Sequence, residues 1–203
     1  MIQAIILDYG NVLSRTLDPR PRAHWENRLR LTPGALQRVV HNDHTWVEAQ
    51  CGRLSVDDYW QNVGQTLNLT SQDIASLRQD FYRGDVRNND LVTCIDQLRS
   101  GGLRTAILSN FSTELRSLLH QQDLQRRFDV IVISAEIGIM KPAIAAYRAV
   151  LDQLDLAPEC CVFIDDLSTN VEAAHTLGMQ GILFRDNASC FVTLDGLLRG
   201  CHL

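Results

Sequence analysis

The chain of 203 residues opens with a near-continuous apolar run, MIQAIIL, that ends at Asp8. Five of these seven residues are aliphatic or alanine, and an apolar run without alternation is typical of a strand covered on both faces in a parallel sheet. Ligands of open α/β sheets bind outside the carboxyl ends of the strands. The sequence therefore predicts a buried first strand with a carboxylate at the edge where chemistry is usually done.

The segment after this strand changes to a helical pattern. Apolar residues recur at three-to-four spacing in five stretches of residues 15–84, namely 22–31, 33–41, 44–51, 55–67 and 71–82. Two of these helices begin at cap signals, Ser55 and Thr70, which are followed by acidic first turns. Because the segment contains no strand candidate, we predict an all-helical unit of about 70 residues, inserted after the first strand.

Helices and strands alternate from residue 85 onward. The predicted strands span residues 103–108, 129–133, 160–164 and 181–184, and the predicted helices span residues 89–99, 112–122, 142–154 and 169–177. This alternation implies right-handed crossovers and a parallel sheet covered on both faces. The predicted fold is α/β, with a doubly wound parallel sheet formed by residues 1–14 and 85–203 and a helical insertion at 15–84.

The composition argues against several classes of partner. A net charge of −5 without a basic block argues against nucleic acid. No apolar run reaches the ~20 residues that span a bilayer, and the N-terminus has neither a basic leader nor a small-residue cleavage site. We therefore expect a cytoplasmic protein, monomeric or homodimeric, that has no nucleic-acid or membrane partner.

Polar residues stand at the ends of four predicted strands or just beyond them. They are Asp8, Ser109 with Asn110, Lys141, and Asp165 with Asp166. Each of them has a plainer interpretation as a helix cap, a turn or a solvated loop residue. However, strand ends converge on one edge of a doubly wound sheet, so the common position of all four favours a single site.

The residue types in this group are ones that phosphoryl transfer could use. Packed carboxylates repel one another unless a hard cation such as Mg²⁺ lies among them. A carboxylate placed as Asp8 is can attack phosphorus and form an aspartyl-phosphate. The Ser109 and Asn110 side chains can donate hydrogen bonds to phosphate oxygens, and the ammonium group of Lys141, the only lysine, can offset the charge of the transferring group.

The same stretches, taken in order, resemble the four motifs of the haloacid dehalogenase (HAD) superfamily over essentially the whole chain. The matching stretches are Asp8-Tyr9-Gly10-Asn11-Val12-Leu13, Leu108-Ser109-Asn110, Lys141-Pro142 and Phe163-Ile164-Asp165-Asp166. The resemblance implies a Rossmann-like core, and it identifies the helical insertion with the C1 cap of that family.

The resemblance also implies a role for each site residue. Asp8 is then the nucleophile, Ser109 binds phosphate, and Lys141 steadies both Asp8 and the phosphate. Asp165 and Asp166 hold Mg²⁺ together with Asp8, and the main-chain carbonyl of Gly10 is the remaining protein ligand.

Gly10 is a departure from the family pattern. Phosphatases of the family usually carry a second aspartate at this position, which protonates the leaving oxygen and later activates water. A glycine supplies neither function, and general acid–base help is typically worth ~10²–10⁴ in rate.

Three hypotheses follow from this departure. The first is a phosphatase with the DxGNV form of the first motif, similar to bacterial α-D-glucose-1-phosphate phosphatases, with sugar phosphates among its candidate substrates. The second is a metal-independent 2-haloacid dehalogenase, in which Asp8 attacks carbon. The third is a catalytically weak or non-catalytic binding protein that keeps the fold.

The remaining motif residues rank these hypotheses. Dehalogenases of this family typically carry a tyrosine at the position of Gly10, whereas Tyr9 is one position early. Asp165 and Asp166 fit phosphate chemistry better than metal-free dehalogenation. Because every other motif residue is present, we place a Mg²⁺-dependent phosphatase of small phosphomonoesters first.

The helical insertion is expected to choose the substrate. Residues 48–55 match the position of the cap loop that reaches the site in relatives, so Arg53 is a candidate contact for a phosphate or a sugar hydroxyl, although a solvated turn is an equal alternative. Four aromatic residues are candidates either for the cavity wall or for the core of the insertion itself: His24, Trp25, Trp46 and Trp60.

Overall fold

The computed structural model describes residues 1–42 and 44–199. Its strands are β1 (Ala4–Leu7), β2 (Ser14–Thr16), β3 (Asp85–Arg87), β4 (Arg104–Ser109), β5 (Val130–Ile133), β6 (Cys161–Asp165) and β7 (Gln180–Leu183). Its α-helices are α1 (Arg20–Arg28), α2 (Ala35–Val40), α3 (Thr45–Gln50), α4 (Val56–Thr66), α5 (Ser71–Phe81), α6 (Asn89–Ser100), α7 (Leu115–Gln121), α8 (Ser134–Ile137), α9 (Ile144–Leu154), α10 (Ser168–Leu177) and α11 (Asn187–Arg199). None of these helices is long and apolar enough to cross a membrane.

Five strands form one parallel sheet in the order β5-β4-β1-β6-β7. The first strand lies at its centre, where Leu7 pairs with Ile107 of β4 on one side and with Ile164 of β6 on the other. This parallel α/β sheet is the predicted fold class, and the prediction is confirmed. The carboxyl ends of β1, β4 and β6 therefore lie side by side at one edge.

The side chains of the central strand alternate between two apolar clusters. Ile5 and Leu7 belong to the cluster on one face of the sheet, and Ala4 and Ile6 belong to the cluster on the other. Helices α6, α7 and α11 contribute to the first cluster, and α9 and α10 contribute to the second. A strand buried on both faces explains why the run before Asp8 is apolar without alternation.

The inserted segment, residues 15–84, contains helices α1 to α5. The predicted caps of two of them are confirmed, because Ser55 Oγ accepts a hydrogen bond from the Asp58 amide and Thr70 Oγ1 accepts one from the Asp73 amide. These helices pack around Trp25, Tyr59, Trp60, Leu77 and Phe81, which belong to the same apolar cluster as one face of the sheet.

The prediction that this segment contains no strand is wrong at its first residues. Strand β2 pairs antiparallel with β3, and Thr16 lies opposite Asp85. Both strands are three residues long and mostly polar, so they lack the apolar pattern by which strands are found. The paired residues of the two strands also lie about 70 positions apart in the chain, so no local pattern links them.

The structure also differs from the prediction in the segment between β5 and β6. Helix α9 begins at Ile144, so Pro142 precedes the helix instead of occupying its first position as predicted. Helix α8 is a single short turn directly after β5, which its sequence does not indicate.

Candidate active site

Asp8 and Lys141 meet at the carboxyl edge of the sheet. Asp8 follows β1 directly, and its amide continues the pairing with β6 by donating to the Ile164 carbonyl at 2.9 Å. Lys141 Nζ donates to Asp8 Oδ1 at 2.8 Å and to Asp165 Oδ2 at 2.6 Å. The Lys141 side chain is only 1% exposed and that of Asp165 is fully buried, so one ammonium group is shared by two carboxylates away from solvent.

Asp165 is held by donors from the start of α10. Its Oδ1 accepts hydrogen bonds from the Leu167 amide at 2.9 Å and from Asn170 Nδ2 at 3.0 Å. The same Asn170 amide also lies 3.1 Å from Oδ2. Both oxygens of this buried carboxylate are thus hydrogen-bonded, as a buried charge requires.

Burial and neighbouring charges shift the pKa values of both Asp8 and Lys141. Burial raises the pKa of Asp8, Lys141 opposes this shift, and the charge of Asp165 adds to it. Burial alone would lower the pKa of Lys141, but the charges of Asp8 and Asp165 outweigh it, so the pKa is raised. Lys141 therefore remains an ammonium at neutral pH.

The main chain of Lys141 is fixed by Asn110. Asn110 Nδ2 donates to the Lys141 carbonyl, the Lys141 amide donates to Asn110 Oδ1, and both distances are 2.8 Å. Both ends of the Asn110 side chain are consequently engaged with protein. Its contact with substrate stays a prediction, and the contact that the structure shows is with the main chain of Lys141.

The inserted segment reaches this site through Gln50, the last residue of α3. Gln50 Nε2 donates to the Asn110 carbonyl at 2.7 Å, and the Gln50 carbonyl accepts from Ser134 Oγ at 2.6 Å. The next turn passes α8 closely, because a Cβ on Gly52 would lie 2.2 Å from the Ala135 carbonyl oxygen and the φ of Gly52 is +69°. Only glycine permits this approach and this backbone conformation.

Three carboxylates lie close enough to share a cation. Asp8, Asp165 and Asp166 each offer an oxygen within 4.8 Å of the others. Asn11 Nδ2 donates to Asp166 Oδ2 at 2.9 Å, which orients the more exposed member of the group. Oxygen donors of this kind suit Mg²⁺.

A cavity of about 430 Å³ lies in front of these residues. Its lining includes six of the predicted site residues, which are Asp8, Gly10, Ser109, Asn110, Lys141 and Asp166. Asp165 lies behind them and contacts the cavity through Lys141. The six residues predicted at strand ends are thus brought together, and Gly10 lies beside them.

Arg53 is placed differently. Its guanidinium donates two hydrogen bonds of 2.7 Å to the carboxylate of Glu48, and the side chain is more than half exposed. It is not part of the cavity lining, whereas Gln50, three positions earlier, is.

The four aromatic candidates of the inserted segment separate in the structure. Trp46 lines the cavity. Trp25 and Trp60 are buried in the apolar cluster, where their indole N–H groups donate to Asp80 and Glu114. His24 is exposed.

Several cavity residues are not indicated by the sequence. They are Asn11, Arg22, Gln37, His41, Gln50, Tyr82, Asp85, Phe111 and Asn170. Asn11 and Asn170 carry the clearest signal, since each lies within five residues of a predicted carboxylate. The others are ordinary polar or aromatic residues of the inserted segment, of β3 or of the loop after β4, and only the tertiary fold gives them a role.

A family model described as haloacid dehalogenase-like hydrolase matches residues 2–178. The sesquiterpene phosphatase astK of Aspergillus oryzae is 30% identical over 170 residues, which cover 80% of this chain and 83% of that protein. Drimenol cyclase drtB of Aspergillus calidoustus is 29% identical over 188 residues, which cover 91% of this chain but 34% of that protein. This chain thus spans only about a third of that longer relative.

Solved structures show the same fold. A HAD family enzyme from Bacteroides thetaiotaomicron, in complex with magnesium and inorganic phosphate, has a TM-score of 0.77. The match covers 91% of this chain and 95% of that one at 16% identity.

Proposed function

Because the chain belongs to the haloacid dehalogenase-like hydrolase family, we propose that it is a Mg²⁺-dependent phosphatase that hydrolyses small phosphomonoesters through an aspartyl-phosphate on Asp8. The observation that carries this proposal is the carboxylate group around Lys141. Three carboxylates face one ammonium group, so two negative charges are in excess. One divalent cation would balance them, and a metal-free dehalogenase has no need of such an excess.

The donor set fits Mg²⁺. Asp8, Asp165 and Asp166 would hold the ion with the main-chain carbonyl of Gly10, the ligand set that the family resemblance implies. When bound, the ion would neutralise charge and draw the anionic phosphate to the site.

The proposed reaction proceeds in two displacements at phosphorus. In the first, an Asp8 carboxylate oxygen attacks phosphorus, the ester P–O bond breaks, and its electron pair stays on the alcohol oxygen. In the second, water attacks phosphorus and the P–O bond to Asp8 breaks, which restores the carboxylate. In this proposal Lys141 holds Asp8 in place and offsets the charge of the transferring group, and the hydroxyl of Ser109, which lines the cavity, donates to that group.

The proton of the leaving alcohol has no side-chain donor at position 10. We propose that water supplies it and that this step limits the rate. Substrates whose alcohols are more acidic should consequently be hydrolysed faster.

The proposal is tested by assaying the protein against a panel of phosphomonoesters, sugar phosphates included, with Mg²⁺ and with EDTA. Phosphate release that requires both Mg²⁺ and Asp8, with Asp8→Asn reduced by at least about a thousandfold, supports the phosphatase. The absence of phosphate release from every compound would refute it. Halide release from 2-chloropropionate without metal would then identify a dehalogenase, and failure of both assays would leave a binding protein.

A further inference from the structure

One side of the cavity is an aromatic wall formed by Tyr9, His41, Trp46, Tyr82 and Phe111. His41 stacks on Trp46 with a centroid distance of 4.7 Å, and Trp46 meets Phe111 at 5.1 Å. Tyr82 and Tyr9 lie 5.8 and 6.0 Å from Phe111. The wall is thus continuous, although its members come from both the inserted segment and the loops that follow β1 and β4.

His41 belongs to this wall as an uncharged ring. Burial, with a contribution from the charge of Arg22, lowers its pKa to about 4. At neutral pH the imidazole therefore adds an aromatic face, and no positive charge, to the side of the cavity.

Most polar groups on the other side of the cavity are already hydrogen-bonded to protein. Arg22 donates to the Phe81 carbonyl at 2.9 Å, to Gln37 Oε1 at 3.1 Å and to Asp85 Oδ1 at 3.0 Å. Thr16 Oγ1 donates to the same oxygen of Asp85 at 2.6 Å.

The polar groups between the end of α3 and the loop after β4 are also hydrogen-bonded to protein. The Gln50 amide is bound to the Asn110 carbonyl, and the Asn110 side chain is bound to Lys141. A ligand hydroxyl that paired with one of these groups would first have to displace its present partner.

Apolar surface continues to the opening of the cavity. Leu167, in the loop between β6 and α10, lines the cavity and is 55% exposed. Met140, which precedes Lys141, also lines it.

We propose that the substrate is a phosphomonoester whose organic group is apolar, with the phosphate at Asp8 and Ser109 and the organic group against the aromatic wall. This proposal rests on the proposed function, and it excludes polyhydroxylated sugars as preferred substrates. Sites for small ligands typically combine such an apolar lining with a few polar groups that fix orientation.

Two phosphates of nearly identical shape test the proposal. Cyclohexylmethyl phosphate and glucose 6-phosphate both carry a six-membered ring and a primary phosphoester, so they differ mainly in hydroxyl groups. We expect kcat/KM with Mg²⁺ to be at least about tenfold higher for cyclohexylmethyl phosphate. Hexyl and benzyl phosphate, measured in parallel, distinguish an aliphatic from an aromatic preference.

The outcomes separate the two proposals. An equal or higher kcat/KM for glucose 6-phosphate, with phosphatase activity present, would overturn the apolar class and leave the phosphatase intact. If these compounds and p-nitrophenyl phosphate all remain unhydrolysed, both proposals fail.

A variant of the wall gives a second readout. Trp46→Gln should lower the ratio of the two kcat/KM values at least about fivefold, chiefly through a higher KM for the apolar compound. Trp46→Phe keeps an aromatic ring and should retain most of the ratio. An unchanged ratio in a folded Trp46→Gln protein would contradict a role for the wall.

Discussion

The ammonium nitrogen of Lys141 lies 2.8 Å from Oδ1 of Asp8, although 133 positions separate the two residues in the chain. The contact forms because β1 occupies the centre of the sheet and Lys141 lies in the loop before α9. The only lysine of the sequence thus contacts both the proposed nucleophile, which it orients, and Asp165.

The first prediction concerns the stability that this lysine provides. Lys141→Met would leave Asp8 and Asp165 buried beside each other without a counter-charge. We expect the free energy of unfolding in EDTA to fall by about 3–5 kcal/mol, measured by urea denaturation, and phosphatase activity to be lost.

An exposed ion pair supplies the control for this prediction. Arg199 contacts Asp195 at 2.8 Å on the surface of α11, and Arg199→Met should cost less than about 1 kcal/mol. Similar losses in the two variants would show that the buried pair adds nothing specific.

The centre of the site could be predicted because its residues follow the strongest pattern in the chain. Three apolar runs form strands that are buried on both faces of the sheet, and they end at Leu7, Leu108 and Ile164. Because the strands are parallel, the polar residues that follow them lie at one edge. The parallel sheet therefore brings three polar residues to the same edge, namely Asp8, Ser109 and Asp165.

The rest of the site depends on contacts that no local pattern encodes. Gln50 is an ordinary polar residue at a helix end, and it acquires a role only because Gly52 lets the turn approach α8. Likewise Arg22 of α1 forms an ion pair with Asp85 of β3. Strands β3 and β2 are too short and too polar to be found from the sequence.

The second prediction separates positioning from substrate binding at Asn110. Asn110→Leu, which is uncharged and of similar size, can neither donate to the Lys141 carbonyl nor accept from the Lys141 amide, so the Lys141 main chain should shift while the charge of the ammonium remains. We expect kcat to fall about tenfold and KM to stay within about threefold, measured with Mg²⁺ on the best phosphomonoester.

Asn62→Leu is the matched control for this substitution, since the Asn62 side chain donates to the Asp58 carbonyl within α4. It should leave kcat and KM unchanged. A large rise in KM with unchanged kcat in Asn110→Leu would instead indicate that Asn110 binds substrate directly.

The third prediction concerns the pH dependence of stability. Burial lowers the pKa of His41 to about 4 in the folded protein, whereas an unfolded histidine titrates near ~6.5. Between these values the unfolded chain binds the additional proton, so the free energy of unfolding falls as pH falls. When the pH falls from 7.5 to 5, the titration of His41 should lower the free energy of unfolding by about 2 kcal/mol.

His41→Phe keeps a ring against Trp46 and Phe81 and removes the titration. Urea denaturation at pH 7.5 and 5 should show a loss of stability smaller by about 2 kcal/mol in this variant than in the parent protein. His24→Gln, at an exposed histidine, should leave the parent's pH dependence intact. The same pH dependence in His41→Phe as in the parent would contradict the argument.

The last prediction is that Gly10→Asp raises the turnover of the proposed phosphatase. A Cβ at position 10 would lie 3.9 Å from Asp8 Oδ2, an ordinary van der Waals distance, and the glycine does not adopt a positive φ. A carboxyl group is therefore accommodated where a general acid is missing, and kcat for an alkyl phosphate should rise about tenfold or more. Gly10→Asn, of the same size but unable to protonate the leaving oxygen, should not reproduce the gain. Equal kcat in the parent and in Gly10→Asp would mean that protonation of the alcohol does not limit the rate.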